Sequence, residues 1–296
     1  MSSQAYRAGA PAVPRGTALG ETVAAVSATC YWELRKLAAQ KRSWAGLAAA
    51  VIVQLVFLIS IEISKVTPGD GPYADPMGPG LRHSGLALTP VVLKEMAYFG
   101  PTIIAALVAG DIVANEDAGG TLKTILVRSV RRGEILAAKA LALFTYVVVA
   151  LLVFAITGVI AGTIAWGFHP LANISGTTIS AAHALGLTFA AIAVYTLPTL
   201  AIGSFGLLLS VVTRQSVAGV VGTIFYGLAL TGLAALPAIK GARPYILVTQ
   251  LHAWHGVFQT PTGWAMIVHA IWVSLLYAAP PLIAAWLVFG RRDVAG

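Results

Sequence analysis

Side chains able to do chemistry are scarce in this sequence, and they gather in one passage. Residues 115–140, NEDAGGTLKTILVRSVRRGEILAAKA, hold five Lys/Arg and three acidic residues in a chain that is only 10% charged. Strongly apolar stretches flank the passage on both sides. Within it, Glu116 and Arg132 are suited to ion pairing or to capping a helix end. Elsewhere the chemistry thins out. No G-x-x-x-x-G-K-[ST] run exists to cradle ATP phosphates, and there is neither a G-x-S-x-G elbow nor an H-E-x-x-H pair. His252 and His255, three apart in LHAWHG, can share a helix face, but no carboxylate or cysteine stands near them to complete a metal site. Aromatic-rich interfacial packing is the better reading of that pair. The single cysteine, Cys30, rules out an internal disulfide framework and a cysteine-based metal centre.

Hydropathy sets the elements that position these residues. Of 296 residues 58% are hydrophobic, and the mean hydropathy is +0.83. A soluble domain carries roughly 45–50% apolar and about 25% charged residues. Apolar blocks of 20 residues match the ~30 Å hydrocarbon core of a bilayer. The fold class expected is therefore an all-α integral membrane protein, since strand spans would be shorter and would alternate in polarity. Six transmembrane helices are expected, at about 45–65, 96–114, 138–166, 180–212, 217–236 and 264–289. Pro101 falls in the first turns of the second, and the fourth is long enough to tilt or break near Pro198.

An even number of spans puts both termini on one side. That side carries fourteen Lys/Arg and the opposite side five, so both termini and residues 115–140 are expected in the cytoplasm. The net charge of +8 then reflects membrane topology, and no nucleic-acid partner is expected. Residues 1–20 are polar, lack the apolar core of a signal peptide and read as a disordered cytoplasmic tail. Residues 21–44 read as an amphipathic helix lying in the interface, with Val23, Val26, Cys30, Leu34 and Leu37 on one face, turning into the first span near Trp44. Residues 66–94, rich in Gly and Pro, read as an irregular external loop. Residues 237–263 are too polar to cross and suggest short re-entrant helices dipping into the outer leaflet. Residues 167–179 form a short uncharged connection.

Ionisable groups near the spans are Glu62, Glu95, Asp111, His183 and His269. Each carboxylate stands close enough to a span end to reach the headgroups, and none sits in mid-span as a proton-coupled carrier would require. The small-residue runs GVIAG, GSFG and GVVG permit close helix packing, within one subunit or between two. In the 115–140 passage Leu122, Ile125 and Leu126 recur at helical spacing, Asn115 or Thr121 can cap, and the Gly119-Gly120 pair permits a sharp turn. The passage therefore reads as a short amphipathic helix on the cytoplasmic face, followed by a basic turn.

This passage resembles the permease subunits of type-2 ATP-binding-cassette exporters. The carrying pattern is Glu116-x-x-x-Gly120-Thr121-Leu122, then Ile125-Leu126, then Arg132 and Lys139; Ser129 stands where that family has proline. WELRKLAAQKRSW resembles the family's N-terminal elbow helix, ARPYILVTQLHAW its external region before the last span, and FGRRDV its C-terminal end. The resemblance implies that the passage is a coupling helix seated in a cleft of a separate ATPase subunit. Glu116, Gly120, Thr121, Leu122, Ile125, Leu126, Arg132 and Lys139 would serve that coupling. It implies further that ATP and Mg are bound by the partner, with no cofactor in this chain, and that a second permease subunit, identical or different, completes the path. The setting implied is the bacterial cytoplasmic membrane. An apolar path suits a hydrophobic or amphiphilic cargo such as a drug, antibiotic or lipid, and Phe57, Tyr98, Phe99, Tyr195, Phe225 and Tyr226 are candidates to touch it. The alternatives are an ATP-independent secondary transporter or channel, and a membrane-embedded enzyme; the scattered histidines disfavour the enzyme.

Overall fold

A computed structural model describes residues 18–64, 82–97, 99–118 and 131–291. Helix α1 (Ala18–Ala39) leads into α2 (Lys41–Ser64). A 3-10 turn (Gly85–Ala87) opens α3 (Leu88–Met96), followed by α4 (Gly100–Ala109) and the short α5 (Ala114–Ala118). Then come α6 (Arg132–Trp166), α7 (Ala181–Thr213), α8 (Ser216–Ala235) and α9 (Trp264–Gly290). Two 3-10 helices, Pro237–Tyr245 and Leu247–Phe258, precede α9. Among the described residues, five helices (α2, α6, α7, α8 and α9) are long and apolar enough to cross a bilayer, and the bent pair α3/α4 makes a sixth span if counted as one. The chain is a helical multi-pass membrane protein.

The spans pack around α7. In its most apolar stretch 56% of residues are buried, against 22% for α2, α8 and α9, so α7 is the axis and the other three present broad apolar faces outward. The small-residue runs are consumed by packing within the chain. Gly110 and Gly219 let α4 and α8 cross with backbones touching, because a Cβ on either would fall onto the other's backbone. Gly85 meets Gly162 in the same way where the chain enters α3 beside α6. Pro198 lies inside an unbroken α7.

Four expectations need correction. The turn into the first span lies at Gln40 rather than Trp44. Gln40 N–H donates to Leu37 O and Ser43 N–H to Gln40 O, both at 3.1 Å, and the Trp44 indole donates back to Ala38 O at 2.7 Å. The second span is not one helix over 96–114: α3 and α4 meet at 73°. Pro101, in the first turn of α4, has no N–H to continue the α3 ladder. Residues 85–96 are helical rather than loop and 85–93 are buried, with Leu86, Leu88, Val91, Val92 and Leu93 each at most 1% exposed. They are buried because Gly85 N–H bonds Gly167 O at 3.0 Å and Thr89 bonds Ala155 O on α6 at 3.4 Å. Finally, the connection after α6 carries a two-residue antiparallel pair, β1 (Leu171–Ala172) with β2 (Thr178–Ile179), the single departure from all-α among the described residues.

Candidate functional site at the basic end

The two roots of the 115–140 passage are α5 and the start of α6. Their neighbours follow from chain direction. Ser43 pairs with Tyr146, Gln54 with Phe154 and Glu62 with Trp166, so α2 and α6 run parallel. Their starts, together with the ends of α4, α7 and α9, gather at one end of the bundle.

There α1 lays two charges on one face, Glu33 and Lys36, with Nζ to Oε1 at 3.0 Å. The Lys139 ammonium enters beside them from the second turn of α6 and is completely buried. Lys139 donates to Glu33 Oε1 at 3.0 Å and to Ile112 O at 3.1 Å, and it is ion-paired with Glu116 Oε2 at 2.7 Å. Lys36 closes the set by bonding Glu116. Two acids and two bases make a formally neutral cluster, the arrangement in which buried charge is tolerable. Burial disfavours the Lys36 ammonium, but Glu116 and Glu33 outweigh it and hold its pKa above the ordinary lysine value.

A second clamp lies alongside. Asp111, 3% exposed, pairs with Arg42 at the start of α2 and accepts from the Ser216 hydroxyl at the start of α8. The sequence reading let Asp111 reach the headgroups; instead it is buried and partnered on both sides. Ser210 Oγ on α7 accepts from Val113 N–H at 3.2 Å and Ala114 N–H at 3.0 Å, satisfying donors at the start of α5. At the other root, Glu134 reaches back to Arg131 N–H at 3.0 Å, half of a capping box. Arg132 donates to Gly290 O at the end of α9, at 3.4 Å.

Glu116, Arg132 and Lys139 are therefore brought to one end of the bundle, and Glu116 and Lys139 into direct contact. Gly120, Thr121, Leu122, Ile125 and Leu126 lie outside the described residues, as does Tyr98. The remaining path candidates do not share one surface. Phe99 and Tyr195 line an apolar cavity, Phe57 is half-buried on α2, Phe225 faces outward, 70% exposed, and Tyr226 stacks on Phe205 with centroids 3.9 Å apart. The imidazoles of His252 and His255 stack at 5.9 Å. No group of three or more His, Cys, Asp or Glu suited to a metal occurs among the described residues. His269 Nε2 lies 2.8 Å from Pro244 O.

Sequence reasoning missed Glu33, Arg42, Ser210 and Ser216. Glu33 left a signal: an acid three residues before Lys36 in a helix whose far end is basic. Ser210 and Ser216 left none, since hydroxyls in an apolar span ordinarily bond their own helix. A family model described as a protein of unknown function (DUF2705) matches residues 47–295. No curated protein matches the chain.

Proposed function

The chain belongs to the DUF2705 family, and we propose that it works as the membrane subunit of a type-2 ATP-binding-cassette exporter. In this reading it forms half of a path for a hydrophobic or amphiphilic cargo and takes its energy from a separate ATPase. One observation carries the reading. Glu116 and Lys139, the outer charges of the E…GTL…IL…R…K pattern, bond each other at 2.7 Å. That contact ties the exit of span two to the entrance of span three, so the intervening segment is rooted on a rigid base. A docked partner that moves the segment then moves both helices and, through Glu33, α1 as one body.

Three further features support the assignment. The ion clusters among the described residues lie at the basic end, and the excess of Lys and Arg there supports reading it as the cytoplasmic end, where ATP is. Helix α6 at 35 residues is roughly 50 Å long, so its first turns, with Lys139, stand clear of a ~30 Å hydrocarbon core. Helix α1 exposes Tyr31 and Trp32 on its outer side, with the Arg35 guanidinium 5.5 Å from the Trp32 ring centre, a composition suited to headgroups. We read α1 as an elbow helix in the interface and Pro237–Phe258 as the outer re-entrant segment. The membrane is the bacterial cytoplasmic one, and a second permease subunit covers the other side of the path.

The test is a cysteine at Leu122 in a Cys30→Ala background, cross-linked in native membranes. The expected product joins this chain to a P-loop-bearing ATPase. A cysteine there that cross-links only to membrane components contradicts the proposal.

A further inference from the structure

We propose that the bend in span two forms a binding site for the acyl chain of a bilayer lipid. The inference stands independently of the exporter reading. Where α3 and α4 diverge at 73°, their residues, with residues of α2, α6 and α7, line a cavity of about 130 Å³. Ala50, Leu93, Phe154 and Tyr195 form its buried floor. Phe99 and Ile103 form its rim and are 53% and 44% exposed.

Depth and chemistry choose the occupant. Ala50 and Val53 lie roughly 14–18 Å along α2, a helix of roughly 36 Å, so the mouth opens inside the hydrocarbon layer. Acyl chains are the solvent there. No described lining residue is charged, and Tyr195 supplies the one hydroxyl, so the site has nothing to hold a headgroup. Apolar cavities near 150 Å³ take a benzene-sized ligand and exclude water, so this one accommodates the end or a bend of a single chain. A chain moving from bilayer to cavity gains packing contacts rather than relief from water. Occupancy is therefore exchangeable, and covalent trapping reads it better than an affinity does.

The purified full chain is placed in phosphatidylcholine nanodiscs that include a phosphatidylcholine bearing a mid-chain diazirine. After illumination the labelled residues are mapped by mass spectrometry. Floor residues Leu93, Phe154 and Tyr195 are expected to be labelled well above Val147, which is equally buried on α6 but does not line the cavity. Filling the floor with Ala50→Leu or blocking the rim with Ala49→Trp should lower floor labelling several-fold and leave Phe225 on α8 unchanged. The rim variant, at an exposed position, keeps the test decisive if the floor variant misfolds. Floor labelling no higher than at Val147, or indifferent to Ala49→Trp, would overturn the proposal.

Discussion

Lys139→Met isolates the buried cluster. The substitution keeps chain length but removes an ammonium bonded to Glu33 at 3.0 Å, Glu116 at 2.7 Å and Ile112 O at 3.1 Å. Two carboxylates, 6% and 12% exposed, are then left to share Lys36 alone. Breaking a buried pair by deleting one partner costs about 3–5 kcal/mol. Lys36 still bridges both acids and is itself 42% exposed, which puts the loss at the low end, about 3 kcal/mol. For a chain of this size about 2 °C accompanies each kcal/mol, so the apparent Tm should fall by about 6 °C. Adding Glu116→Gln leaves one acid and one base, and the double variant should recover most of the loss, a coupling of about 2 kcal/mol. The assay is thermal unfolding in detergent, followed as loss of monodisperse protein by size exclusion. A single variant as stable as the parent, or a double variant no better than the single, would refute the cluster's role as a fastener.

Gly219→Leu should cost about 1–3 kcal/mol by forcing α8 away from α4, whereas Gly232→Ala, with open space around it, should cost nothing; the same Tm assay compares them. Burial, then the nearby positive charge of His255 and Lys94, lowers the His252 pKa to about 4. The unfolded chain therefore binds a proton that the folded one refuses between the ordinary value, about 6.5, and 4. Stability should be full above that window and fall as pH drops through it, by at most about 3 kcal/mol, and His252→Gln should flatten the slope. In a Cys30→Ala background, a cysteine at Ser175 should react with an impermeant maleimide from outside intact cells and one at Arg131 should not; the reverse pattern would invert the topology.

Long apolar periodicity made the five unbroken spans legible, because hydrocarbon thickness and helix rise leave little freedom, although the helices of the first and third begin earlier than their apolar blocks, at Lys41 and Arg132. The bend in span two was not legible. Pro101 was visible, but the helix before it is buried through contacts distant in sequence, such as Gly85 meeting Gly162, residues 77 apart, and Thr89 bonding Ala155 O, and such contacts leave no local pattern. The basic end was half legible. Glu116, Arg132 and Lys139 stood out as charges in an apolar chain, whereas their common partner Glu33 lies 106 residues from Lys139. Asp111 was misjudged for a related reason: Arg42 and Ser216, which neutralise it, come from two other helices. Pairing across helices determines whether a charge near a span end meets solvent or becomes a joint.

The most direct measurement is affinity purification of the tagged full chain from mild detergent, with the stoichiometry and identity of co-eluting protein determined by mass spectrometry. The account predicts a stoichiometric soluble partner carrying a P-loop, retained by the wild-type chain and lost when residues 117–130 are scrambled while the bundle stays folded. A folded chain that elutes without such a partner, or that holds it equally well after scrambling, would contradict the account.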